Sequence, residues 1–145
     1  MWHHINYSHG SLDIRKHHIE LLSPARTADS GRIAINYGAD AVYIGAPLFS
    51  ARAAAGNRVQ DIEKLADYAH RYHARVYVAL NTILFEEELV KAHSLIWDLY
   101  QAGADALIIQ DMAVAEMDLP PVELHASTQA NNFDVSKVRF LESAG

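Results

Sequence analysis

The stretch "NYGADAVYIG", residues 36–45, returns further along the chain as "QAGADALIIQ", residues 101–110. Both follow one plan, x-G-A-D-A-apolar-x-I. The glycine suits the left-handed position that ends a helix. The residues after it turn apolar at once, as at the start of a strand. A helix stop joined directly to a strand start is the junction of β-α-β repetition. "LESAG" at 141–145 repeats the helix ending, which predicts a further strand beyond Gly145.

Working outward, five short apolar runs are bounded by turn residues. They are "IELLS" (19–23), "AVYIG" (41–45), "RVYVALN" (75–81), "ALIIQ" (106–110) and "VELHA" (122–126). Such runs read as buried parallel strands. Helical stripes lie between them. Val59, Ile62, Leu65, Ala66 and Ala69 share one face, with Asn57 as the expected cap. Leu89, Ala92, Ile96, Leu99 and Tyr100 make a second stripe, with acidic residues 86–88 suiting the start of a helix. Shorter helices are expected over 30–37, 111–117 and 134–144.

The fold class is therefore α/β, with parallel strands and outer helices. A complete eight-stranded barrel needs about 250 residues. The 145 residues are read as the N-terminal portion of a TIM-like (β/α) barrel, cut short. The competing architecture is a complete five-stranded open sheet of flavodoxin type. Residues 1–18 form a polar leader with five histidines (His3, His4, His9, His17, His18), and residues 19–145 form the partial barrel domain. Metal binding by the leader is the alternative, without a carboxylate or cysteine partner at a metal-site spacing.

Half the residues are hydrophobic and 21% are charged, which is globular composition. The net charge of −6 gives no overall basic field for nucleic acid. A local patch around Arg52, Arg58, Arg71 and Arg75 stays open. With no cysteine, a disulfide, a thiolate nucleophile and an iron–sulfur cluster are excluded within these residues. No apolar run approaches the ~20 residues of a membrane span. The N-terminus lacks the apolar segment of a secretory signal, so the expected location is the cytoplasm.

In a parallel barrel the active site forms at the C-terminal strand ends. Those ends read as Ser23, Gly45, Asn81, Gln110 with Asp111, and Ala126 to Gln129. The polar run "HASTQANN" (125–132) is then a loop facing the same mouth. Each candidate has a structural alternative. Asp111 caps the next helix, Asn81 satisfies a loop backbone, Ser127 and Thr128 make turn bonds, and His125 is a hydrogen-bonded strand residue. Gln129 and Asn131 are harder to explain by one turn. Arg52 either binds an anion or pairs with a surface carboxylate. Glu86 and Glu87 read as a solvated first helical turn. No phosphate-binding glycine loop, catalytic triad or metal motif is present.

Five ordered segments, "ELLSPA" (20–25), "GADAVYIGAPLFSARAAAGN" (38–57), "YAHRYHARVYVALNT" (68–82), "AGADALIIQDMAV" (102–114) and "LHASTQANN" (124–132), resemble the N-terminal part of the U32 family, the so-called U32 peptidases or collagenase-like proteins. The resemblance implies a barrel-type catalytic domain in bacteria. The family carries a protease and collagenase label. Several members instead serve oxygen-independent hydroxylation of a tRNA uridine, of a 23S rRNA cytidine, or in ubiquinone synthesis. Prephenate is implicated as oxygen donor in the RNA reactions. A [4Fe–4S] cluster is implied for some members, on cysteines of a downstream stretch that this sequence does not contain.

Carried onto matching positions, Asn81, Asp111, Ser127, Gln129 and Asn131 would line the mouth and hold substrate by hydrogen bonds. Arg52 would take a phosphate or carboxylate. No catalytic residue is assigned. The expected partners are RNA (tRNA or rRNA) or a protein substrate, without a membrane. Self-association through the open barrel edge is also expected. A collagenase-like protease and a non-catalytic half-barrel completed by a partner chain are the alternatives.

Overall fold

The computed structural model describes residues 19–51 and 56–144. The expected His-rich leader and Arg52 lie outside the described residues. Five parallel strands form one open sheet in the order β1-β2-β3-β4-β5. They are β1 (Leu22–Ala25), β2 (Ala41–Gly45), β3 (Arg75–Leu80), β4 (Ala106–Ile109) and β5 (Glu123–Ala126). The helices are α1 (Ala28–Asn36), α2 (Val59–Arg71), α3 (Leu89–Gln101) and α4 (Val135–Ala144). None is long and apolar enough to cross a membrane. A flavodoxin-type sheet has the order 2-1-3-4-5, with helices on both faces. Here the order is strictly sequential. Crossovers of constant hand, stepping in one direction, put every helix on one face.

The pleat makes that division visible. Val42, Ile44, Val76, Val78, Leu80, Leu107 and Ile109 point one way. They share a core with Ile35 of α1, with Ile62, Leu65 and Ala69 of α2, and with Leu95, Ile96 and Leu99 of α3. The other face carries Ala41, Tyr77 and Ala106, flanked by Tyr43 and Ile108. Register confirms the separation, with Val42 opposite Val76 and Tyr43 opposite Tyr77. α4 buries none of its residues.

The junctions explain the repeated motif. Gly38 and Gly103 adopt left-handed φ of 96° and 88°. The next residues close each helix, with Ala39 N–H donating to the Ala34 carbonyl and Ala104 N–H to the Leu99 carbonyl. The α2–β3 junction makes the same bond, Ala74 to Ala69, with His73 in the left-handed place at φ 59°. The aspartate of each motif clamps the start of the preceding strand. Asp40 accepts from Leu21 N at 2.8 Å, and Asp105 accepts from Val76 N at 2.7 Å.

Four local expectations change. β1 runs over 22–25 rather than 19–23, because pairing begins at Leu22 opposite Ala41. Pro24 fits inside it because β1 is an edge strand. The strand end at the mouth is thus Ala25, not Ser23. Thr27 caps α1, so that helix starts before Ser30. The cap of α2 is Arg58, whose N–H donates to Asp61. Asn57 is buried instead and donates to the carbonyls of Arg26 and Gly45. It ties the loops after β1 and β2 together. Finally, 111–117 holds a five-residue 3-10 helix, Met112–Glu116, not a full α-helix.

Candidate functional site

Beyond the C-terminal ends of β2, β3 and β5 lies a cavity of about 180 Å³. Its floor is Gly45 and Ala79, which are register partners. Tyr43, Ser50 and Ala51 come from β2 and its loop, Asn81 follows β3, and Thr128 and Gln129 follow β5. Among the described residues, the lining holds amides, hydroxyls and one phenol ring, and no carboxylate, guanidinium or ammonium group. Small residues on the floor let a ligand approach the sheet, and the loops supply the polar atoms.

The candidate residues divide within this frame. Asn81 and Gln129 meet in the cavity although they are far apart in sequence. Asn81 Oδ1 also accepts from Ala51 N at 3.1 Å, which fixes the loop after β2. Gln129 is tied through its backbone: its N–H donates to Ser127 Oγ at 3.2 Å, and its carbonyl accepts from Gln110 Nε2. Ser127 is 3% exposed and its N–H donates to the Ile109 carbonyl, so it ends β5 and caps the short 3-10 helix Thr128–Ala130. Asn131 closes that helix in a left-handed conformation, φ 59°, which Asn tolerates better than most residues. Asp111 accepts from Leu84 N at 2.8 Å and from Ala113 N at 2.9 Å. Both its oxygens thus hold neighbouring loops. Asp111, Ser127 and Asn131 do not line the cavity; they shape the loops around it.

Below the cavity, on the same sheet face, Tyr77 is 2% exposed. Its hydroxyl donates to Glu20 at 2.7 Å. Its ring meets His125 edge-on, with centroids 4.9 Å apart. Burial, and then the Glu20 carboxylate, push the Tyr77 phenol up to about 12. His125 is also 3.6 Å from Glu123. Of the arginines, Arg58 pairs with Asp61 and Arg75 faces Glu20 at 3.9 Å.

Tyr43 and Ser50 escaped the sequence reading. Tyr43 is an aromatic residue in a run that reads as wholly buried, and only its period-two match with Gly45 marks it as facing the mouth side. Nothing local distinguishes Ser50. A second, larger cavity of about 350 Å³ is mainly apolar and lies between β5 and α4, lined by Ile109, Met112, Leu124, Val138 and Leu141. Among the described residues no group of three or more His, Cys, Asp or Glu side chains is placed to hold a metal ion.

The sequence profile of peptidase family U32 matches residues 26–145. The chain is 54% identical over 134 residues to the 23S rRNA 5-hydroxycytidine C2501 synthase of Escherichia coli, covering 92% of this chain and 20% of that protein. It is 38% identical over 118 residues to tRNA hydroxylation protein P of Helicobacter pylori, covering 78% of this chain and 28% of that one. It is 30% identical over 124 residues to a collagenase of Porphyromonas gingivalis, covering 83% and 30%. No solved structure matches the chain. The chain therefore spans a fifth to a third of these relatives, and on the profile match across 26–145 it belongs to peptidase family U32.

Proposed function

We propose that these residues form the first five strand units of a TIM-like barrel that serves oxygen-independent hydroxylation of RNA, with a 23S rRNA cytidine as the favoured substrate over tRNA. The observation that carries this reading is the gap in identity: 54% to the rRNA enzyme against 32–38% to tRNA hydroxylation proteins. Sequential strand order, helices on one face and polar loops at the C-terminal strand ends support the barrel. The rim residues Asn81 and Gln129 bind substrate, while Asp111, Ser127 and Asn131 hold the loops that carry them. Arg52, which falls between β2 and α2 in the sequence, takes a phosphate. An rRNA substrate is in keeping with work in the cytoplasm.

A [4Fe–4S] cluster does not fit these residues, because the chain has no cysteine to ligate it. Any cluster rests on residues of a longer protein. The unpaired edge of β5 is where a sixth strand would add, and a chain lacking that strand would self-associate there.

The test is a chimera. Residues 19–145 replace the matching segment of the E. coli relative in a strain lacking that protein, and C2501 is read by mass spectrometry. The expected result is restored 5-hydroxycytidine with no change in tRNA hydroxylation. A folded, abundant chimera that leaves C2501 unmodified overturns the reading. Gelatin cleavage by that chimera would favour the collagenase alternative. Activity that appears only with a separate partner chain would favour the half-barrel alternative.

A further inference from the structure

The cavity at the strand ends has a definite chemistry, and it names a ligand. We infer that it is a pocket for a single flipped-out pyrimidine base, with Gln129 reading the edge that differs between cytosine and uracil. This deepens the reading of the chain as part of an RNA hydroxylation enzyme and rests on it.

Size comes first. A volume of about 180 Å³ equals the liquid volume of about six waters. That suits one six-membered ring with its substituents. It falls short of the ~300 Å³ at which pockets for larger ligands begin. Charge comes second. Among the described residues the lining carries no ionised group, so none of them offers a phosphate or a carboxylate a counter-charge. A neutral planar ligand with several hydrogen-bonding atoms matches the amides, hydroxyls and ring that those residues supply.

Geometry supplies the rest. Gly45 and Ala79 keep the floor flat and low. Tyr43 presents an aromatic ring at the wall, the usual partner of an unstacked base. The bond from Ala51 N commits Asn81 Oδ1, so Asn81 offers a ligand its donor Nδ2. A donor fits the C2 carbonyl that both pyrimidines share. Gln129 has its backbone held by Ser127 and Gln110, and its side-chain amide carries both a donor and an acceptor. It accepts from the 4-amino group of cytosine or, turned over, donates to the 4-oxo group of uracil. A base inside a duplex cannot reach such a pocket, so the RNA must present it unstacked.

The experiment measures binding by the full-length protein carrying these residues. The probe is a single-stranded heptanucleotide RNA with a central cytidine, uridine or abasic site. Removing the base is expected to weaken binding about tenfold in the parent protein. Gln129 is exposed and its hydrogen bonds run through its backbone, so Gln129→Ala should cut that penalty to about twofold. Gln129→Glu leaves only acceptors and should raise the preference for cytidine over uridine about tenfold. An abasic penalty unchanged in Gln129→Ala, or a collagen-like peptide that displaces the RNA with no abasic penalty at all, overturns the pocket.

The chimera keeps the two readings apart. An active chimera with a Gln129-independent penalty sinks the pocket alone. An inactive chimera with a Gln129-dependent penalty sinks the hydroxylation reading alone.

Discussion

Gly38 and Gly103 occupy the same place in the same repeated motif, yet alanine should not cost the same at both. Their φ values, 96° and 88°, are alike, and each precedes the same helix-closing bond. A left-handed alanine costs about 1–2 kcal/mol, and the lower entropy of its unfolded chain returns about 0.5–1. The net conformational cost is therefore about 1 kcal/mol at either site. The surroundings differ. A Cβ on Gly38 meets nothing within 4 Å, whereas one on Gly103 sits 3.1 Å from the Ala66 Cβ. Ala66 is 1% exposed on α2, and neither methyl can rotate away. Overpacking of this kind costs about 1–3 kcal/mol. Gly38→Ala should thus lose about 1 kcal/mol and Gly103→Ala about 2–4 kcal/mol. Urea unfolding followed by circular dichroism of the two variants measures the difference. A double-mutant cycle with Ala66→Gly should return about 1 kcal/mol of coupling. Equal losses at the two glycines, or no coupling to Ala66, would refute the reasoning.

The aspartates of the same motif offer a second contrast. Asp105→Ala strands the N–H of fully buried Val76 and should cost about 1–3 kcal/mol, while Asp40→Ala frees the N–H of exposed Leu21, which water replaces. Equal unfolding midpoints for the two would contradict this. Asn57→Ala should cost about 1–3 kcal/mol, with hydrogen exchange quickening in the loops after β1 and β2 that Asn57 ties together; exchange unchanged in both loops would count against it. Tyr77 gives a pH signature. Its folded value of about 12 exceeds the ordinary ~10 of an unfolded tyrosine, so the folded chain holds the proton longer. The stabilisation is whole below pH ~10 and is lost as pH rises through ~12. A stability–pH curve for Tyr77→Phe should lack that decline, and a variant that keeps it would show that another group is responsible.

Much of the architecture was legible because its signals are local. The glycine–alanine–aspartate junctions mark helix ends by backbone conformation, a property of one or two residues. Apolar runs of four to six residues between helical stripes imply parallel strands, since only strands covered on both sides are so uniformly apolar. Local reasoning failed where the cause was a neighbour. β1 begins at Leu22 because Ala41 is its partner, and Asn57 turned inward because two loop carbonyls needed a donor.

The sequence by itself determined the alternation of strands and helices, the polar character of 125–132 and the lack of any thiolate ligand within these residues, all of which depend on residue identity and short-range period. Only the tertiary structure decided which polar residues share a site. It brought Asn81 and Gln129 to one cavity with Tyr43 and gave Asp111 two backbone donors to hold. The reason is the sequential parallel sheet. It gathers strand ends tens of residues apart onto one rim, and which side chain there meets open space depends on loop contacts that no local pattern encodes.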